Sequence, residues 1–165
     1  MRSRKVLAFA VSFVLAAAVL GQGSEEKKKS APKGAARQPI VKPANDLKWA
    51  DLDPKGAPGV KIADLWGNHA NGAFGAFIQF PAGFAAPLHT HTSDYKIAVV
   101  SGTFVQAPEG KPEFRLGPGS YLMQPGGNYK HTTACDKASD CLILVQSNGK
   151  FDLKPVQTGK APAKK

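Results

Sequence analysis

The chain has 165 residues, 42% of them hydrophobic and 21% charged, and a formal net charge of +10 at pH 7. That charge sits at the ends: residues 1–45 carry nine Lys or Arg against two Glu, and 154–165 carry four Lys and no acid. Residues 46–153 hold nine basic and ten acidic side chains. A nucleic-acid site needs a basic face on the folded part, so no nucleic-acid partner is expected, and the basic ends offer at most generic attraction to anionic lipid or cell-wall polymer.

In chain order, Arg2, Arg4 and Lys5 precede an apolar run from Val6 to Leu20, with small residues at Gly21 and Gly23. This is the layout of a secretory signal peptide over residues 1–23. The run falls short of the ~20 residues a spanning helix needs. No stable membrane span is therefore expected after signal cleavage, and the protein is expected to be secreted or periplasmic. Residues 24–45 are rich in Lys, Ala, Pro and Gly, the composition of a disordered tether, and 158–165 form a similar basic tail. Residues 46–157 remain for one domain with a single core.

That domain lacks helical periodicity. Short apolar or alternating runs predict strands at Val60–Trp66, Ala73–Phe80, Lys96–Val100, Thr103–Gln106, Glu113–Leu116, Ser120–Gln124, His131–Ala134 and Leu142–Gln146, with turn residues between them. Asn71-Gly72 and Pro108-Glu109-Gly110 are the clearest turns. The pattern is that of an all-β sandwich or barrel. Trp49, Trp66 and Phe74, Phe77, Phe80 and Phe84 read as core or pocket wall, and His69, in the Gly67–Gly72 loop, as an exposed bystander. Cys135 and Cys141 flank a polar turn, and in an oxidising compartment they form a disulfide. The alternative is a free Cys135 near a metal, since it shares strand parity with His131.

The segment from Gly83 to His91 carries the chemistry. His89 and His91, one residue apart on a strand, project to one face, where two imidazoles can meet one metal ion at about 2.0–2.1 Å. The competing reading makes them ordinary hydrogen-bonded barrel residues.

At these residues the chain matches a known pattern. Gly83-x5-His89-x-His91-x3-Tyr95-x6-Gly102 resembles the first motif of the cupin superfamily, and Gly119-x5-Pro125-x-Gly127 with His131 resembles the second. Leu65-Trp66-Gly67 and Asn148-Gly149-Lys150-Phe151-Asp152 are similar to pieces of secreted bacterial cupins that carry a domain-of-unknown-function label and are ChrR-like. The resemblance implies a single-domain cupin jelly-roll β-barrel that binds one divalent metal on its inner face, and it implies dimerisation. The sequence departs from the motifs twice. The first-motif glutamate falls on Tyr95, and a phenol ligates poorly at its ordinary pKa. Asp94 is the better donor but lies out of register. The second-motif histidine falls on Lys130, with His131 one residue late, a shift that reverses the face of a strand unless glycines 126 and 127 absorb it.

The expected metal ligands are thus His89, His91, His131 and Tyr95, with Gln124, Lys130 and Asp94 around the pocket. Three imidazoles suit Zn, Cu, Ni or Fe better than a hard ion such as Mg, and the expected cofactor is one divalent transition metal, Zn, Fe, Cu, Ni or Mn. The expected function is an exported metal-binding cupin acting on a small organic ligand as an oxidoreductase, isomerase or hydrolase. A non-catalytic binding or sensing domain, and a structural envelope protein, are the other classes.

Overall fold

A computed structural model describes residues 38–157. The expected signal peptide and basic tail, and most of the expected tether, lie outside them. The compact unit begins at Pro39. Lys42 donates to the Asp64 carbonyl at 2.8 Å, so this stretch contacts the fold through an ion-to-backbone bond that its composition does not advertise.

Eleven strands come after a short 3-10 turn at Ala44–Asp46: β1 Ala50–Asp53, β2 Ala57–Gly67, β3 Phe74–Phe80, β4 Ala85–Thr90, β5 Tyr95–Ser101, β6 Phe104–Pro108, β7 Phe114–Leu116, β8 Tyr121–Gln124, β9 His131–Cys135, β10 Cys141–Ser147 and β11 Lys154–Pro155. All eight expected strands are present, with ends shifted by a few residues, and β4 is the strand that carries His89. Two more, β1 and β11, were not expected. β1 hydrogen-bonds to β2 around a turn in which the Asp53 carboxylate accepts the N–H groups of Lys55 and Gly56 at 3.1 and 3.0 Å.

The strands form two antiparallel sheets, β1-β2-β3-β10-β5-β8 and β11-β4-β9-β6-β7. They pack face to face as a jelly roll, with no ladder closing one sheet onto the other among the described residues. Alternation decides what goes inside. In β3, Phe74, Ala76, Ile78 and Phe80 are buried; in β10, Cys141, Ile143 and Val145 are. These meet Ile97, Val99 and Phe104 in one core. Burying a side chain of this size contributes about 1.5–3 kcal/mol, which is why strand parity is so firmly set. Trp49 and Trp66, expected in the core or the pocket wall, are 39% and 37% exposed. Trp66 lies on the outer face of its sheet, across Gly75, where a Cβ would come 2.1 Å from the indole nitrogen. Phe77 also faces outward, as its odd position in β3 requires.

Cys135 and Cys141 form a disulfide. It links the end of β9 to the start of β10, hence one sheet to the other, and Cys135 is not available to a metal.

Candidate metal centre

His89 is placed by an irregularity. Between Ala86 and His89, β4 advances three residues while β9 advances two, from Thr133 to His131. One extra residue beside Pro87 makes a bulge, which re-aims the side chains beyond it. His89 and His131 therefore sit directly opposite each other with ring centroids 4.2 Å apart. His91 lies just past the end of β4, with its ring 4.9 Å from His89 and 5.2 Å from His131.

The turn before β9 resolves the register question at His131. The Gly126 N–H donates to the Asp94 carboxylate at 2.7 Å, and the Gly127 N–H to the His91 carbonyl at 2.8 Å. Gly127 has φ 75°, a conformation open to glycine. A Cβ on Gly126 would come 2.5 Å from the Thr92 carbonyl oxygen. The turn thus docks backbone to backbone on the loop after His91, and β9 starts with His131 fully buried.

All three imidazoles are hydrogen-bonded in the same sense. Nδ1 of His89 meets the Pro87 carbonyl at 2.7 Å, Nδ1 of His131 the Tyr129 carbonyl at 3.1 Å, and Nδ1 of His91 the Asp152 carbonyl. A carbonyl only accepts, so each Nδ1 carries the proton and each Nε2 keeps its lone pair. The ligand-capable atoms lie within 4.8 Å of one another. Nε2 of His131 is buried with no partner among the described residues. Burial lowers the His91 pKa to about 4 despite the Asp152 carbonyl, and burial with the charge of His89 lowers His131 to about 4 as well. His89 is also lowered, again by burial. The rings are neutral at pH 7, tautomerically fixed and convergent, a donor set that fits a divalent transition ion.

The other expected site residues are distributed differently. Tyr95 packs on His91 with centroids 4.5 Å apart, but its hydroxyl is engaged by the backbone of Asp152. It accepts the Asp152 N–H at 3.0 Å and donates to the Asp152 carbonyl at 3.3 Å. Burial pushes its pKa above the ordinary phenol value, so this side chain braces the site as a neutral hydroxyl instead of offering a phenolate. Gln124, the Cα partner of Tyr95 across β5 and β8, is 2% exposed and lines the cavity beside the histidines. Asp94 is outside it; its carboxylate caps the Gly126 turn, because its parity in the loop points it away from the inner face. Lys130 is also outside, alternating with His131 and paired with Glu109 at 3.0 Å. His69 is not an exposed bystander: it pairs with Asp64 at 2.9 Å, three-quarters buried, and packs edge-on against Phe74.

Asp152 was not singled out by sequence. Its carboxylate holds the N–H of Thr92 at 2.8 Å and the Thr92 hydroxyl. Partial burial opposes the charge, yet the Thr92 bonds keep the carboxyl below its usual pKa. Phe151–Pro155 therefore forms a strap over the site, with Phe151 stacked on Tyr95 at 5.7 Å. Leu52, Phe84, Phe151 and Leu153 line both the inner cavity and the wider bowl outside it.

A family described as Domain of unknown function (DUF4437) matches residues 40–164. The chain belongs to this family. Its fold is that of the cupins. The structure is similar to the polyketide cyclase RemF from Streptomyces resistomycificus, at a TM-score of 0.61 and 17% identity over 76% of this chain and 90% of that one. It is also similar to an RmlC-like cupin from Shewanella frigidimarina, at 0.52 and 22% over 67% and 92%. In sequence, this DUF4437 chain is 30% identical over 93 residues to the dimethylsulfoniopropionate lyase DddQ of Ruegeria pomeroyi. The match takes in 56% of this chain and 45% of that protein, so the chain spans less than half the length of this curated relative. The DddQ structure from Ruegeria pomeroyi aligns at a TM-score of 0.54 and 24% identity, over 69% of this chain and 62% of that one.

Proposed function

We propose that the protein is an exported, metal-dependent cupin that binds and acts on a small organic molecule at the His89–His91–His131 centre. The observation that carries the reading is the common orientation of the imidazoles, each Nδ1 held by a backbone carbonyl and the ligand-capable atoms gathered within 4.8 Å. Zn, Fe, Cu, Ni or Mn held there supplies a Lewis acid for an oxygen donor of the substrate. The residues do the rest. Tyr95 and Asp152 fix His91, Gln124 offers a neutral polar contact in the wall, and Phe84, Phe151 and Leu153 keep water from the bound molecule. Oxidation, isomerisation and hydrolysis are the reaction classes such a centre serves, and the likeness to DddQ adds elimination.

Export is supported by the apolar run Val6–Leu20 behind Arg2, Arg4 and Lys5 and by the Cys135–Cys141 disulfide, which persists in oxidising compartments. The domain plan proposed is residues 1–23 as signal, a tether after it and a basic tail from 158.

A second reading, a non-catalytic binding or sensing domain, is favoured by one observation. The inner cavity is lined by no free carboxylate or amine among the described residues, so the protein itself offers little to move a proton.

The test is metal content by mass spectrometry on tag-free protein beside the His89→Ala/His91→Ala double variant. Wild type should carry close to one transition-metal ion per chain, and the variant none, with its far-UV circular dichroism unchanged. Stoichiometric metal retained in a folded double variant would sink the reading. The intact mass of protein from the periplasm or medium checks export: loss of residues up to about Gly23 is expected, and retention of Met1 contradicts it.

A further inference from the structure

Among the described residues, the inner cavity is polar in five places and charged in none. His89, His91, Tyr95, Gln124 and Thr133 are its polar lining, and its remaining walls are aliphatic or aromatic. The bowl outside adds one acid, Asp53, whose carboxylate already caps its own turn. The cavity is about 60 Å³, taken as the space open to the centres of water-sized spheres, and it shares Leu52, Phe84, Phe151 and Leu153 with the bowl outside.

One polar element there has no structural explanation. Gln106 in β6 and Gln124 in β8 reach across the two sheets, and Gln106 Nε2 donates to Gln124 Oε1. Both side chains are buried, at 0% and 2% exposure. Gln124 Nε2 and Gln106 Oε1 are left without partners among the described residues. Turning both amides over would leave the same number of atoms unpaired but free Gln124 Oε1 instead; as placed, the free Gln124 atom is the Nε2 donor. Leaving a buried polar group unsatisfied is destabilising. Two apolar side chains would bridge the sheets without that penalty, so the free amide edge facing the cavity needs a different reason.

Resting on the metal-dependent reading above, we infer that the ligand is a small monocarboxylate with an apolar, uncharged body, and that Gln124 is the residue that orients its carboxylate. Three neutral imidazoles bring no negative charge, so a divalent ion held among them would leave a positive centre that an anionic group of the ligand can balance. The Gln124 amide donates to a carboxylate oxygen without adding a second buried charge. The body faces Phe80, Phe84, Phe104, Phe151, Leu52 and Leu153. These rings pack on one another: Phe80 with Phe84 at 5.4 Å, Phe80 with Phe104 at 5.8 Å, and Phe151 with Tyr95 at 5.7 Å. A buried cationic tail needs a counter-charge, and the lining provides no free carboxylate among the described residues.

The experiment uses the full chain loaded with zinc, with metal content measured on the same batch. Isocaproate and its dimethylsulfonio isostere share length, shape and carboxylate and differ by one positive charge in the tail. By isothermal titration calorimetry, isocaproate should bind at least tenfold more tightly than the sulfonium. Gln124→Met should weaken isocaproate about tenfold with metal content unchanged. Gln106→Met/Gln124→Met, which leaves no orphaned amide, should show the same loss in a stably folded protein. Equal or tighter binding of the sulfonium, no measurable isocaproate binding by metal-loaded protein, or unchanged affinity in both variants overturns the inference while leaving the metal reading intact. A chain that takes up no metal overturns the metal reading itself, and this inference with it.

Discussion

Burial of three neutral imidazoles makes the metal-free protein acid-sensitive over a predictable range. His91 and His131 have pKa values of about 4 in the fold, against about 6.5 in an unfolded chain. Between these values the unfolded state binds more protons, so stability falls as pH falls. The loss begins near pH 6.5 and levels off below about 4. From pH 7 to pH 5 each ring removes about 2 kcal/mol by linkage, so the pair removes about 4, with His89 acting in the same direction. That is a large part of the roughly 5–15 kcal/mol that holds a small domain together. Between pH 7 and pH 5 carboxylates interfere little, because their unfolded values near 4 lie below that range. The assay is urea unfolding of chelator-stripped protein at pH 7, 6 and 5, with the folded baseline checked by circular dichroism. The midpoint should fall steeply across the series, and His131→Phe should remove about half of the slope with pH. A midpoint constant between pH 7 and pH 5 would refute the argument, since it would mean that the rings are solvated or already charged.

The strap should matter to metal affinity. Asp152→Ala releases Thr92 and should weaken zinc binding about 10- to 100-fold in a competition titration, with secondary structure retained. Gly126→Ala places a Cβ 2.5 Å from the Thr92 carbonyl oxygen; it should lower stability by about 1–3 kcal/mol in urea unfolding and reduce bound metal, because the His91 loop must move. Cys135→Ala/Cys141→Ala opens a short loop and should lose about 2 kcal/mol, read as a lower unfolding midpoint, with metal content unchanged. Tyr95→Phe leaves the part-buried Asp152 N–H without its acceptor and should cost about 1 kcal/mol by the same assay.

The jelly roll was legible because parity is written into the strands: buried residues alternate in β3, β5, β9 and β10 as the pattern requires. β1 and β11 were not, for a physical reason. Ala50–Asp53 has too little to bury to signal a strand, and Lys154–Pro155 is two residues long; both are held by ladders to neighbours that a local reading does not see. Side-chain identity pointed to His89, His91 and His131, yet not to their orientation. His131 stood one residue off the motif, and backbone docking at Gly126 and Gly127 turned it inward. Asp94 and Lys130 were attractive by chemical type, and parity carried both outward. Asp152 entered the sequence reading only as the end of the Asn148–Asp152 piece, with no sign of its role, because that role is played mainly by a backbone carbonyl, which every residue possesses.

The three carbonyls are not equivalent, and the difference bears on how the centre is assembled. His89 and His131 each bond a carbonyl two residues earlier in their own chain segment, Pro87 and Tyr129. Their orientation is set as soon as β4 and β9 form. His91 bonds a carbonyl 61 residues away, on the strap, which is itself fixed by Thr92, the neighbour of His91. Two ligands are therefore local products of the sheet, and the third exists in its ligating orientation only while the strap is in place. Tyr95 reinforces this arrangement where the family motif has a carboxylate, since its hydroxyl contacts only the backbone of Asp152. A perturbation of the strap should accordingly reach the metal through His91 alone, leaving a two-histidine site of lower affinity in an intact sandwich. A perturbation of the β4 bulge at Pro87 should instead misalign His89 against His131 and abolish binding outright.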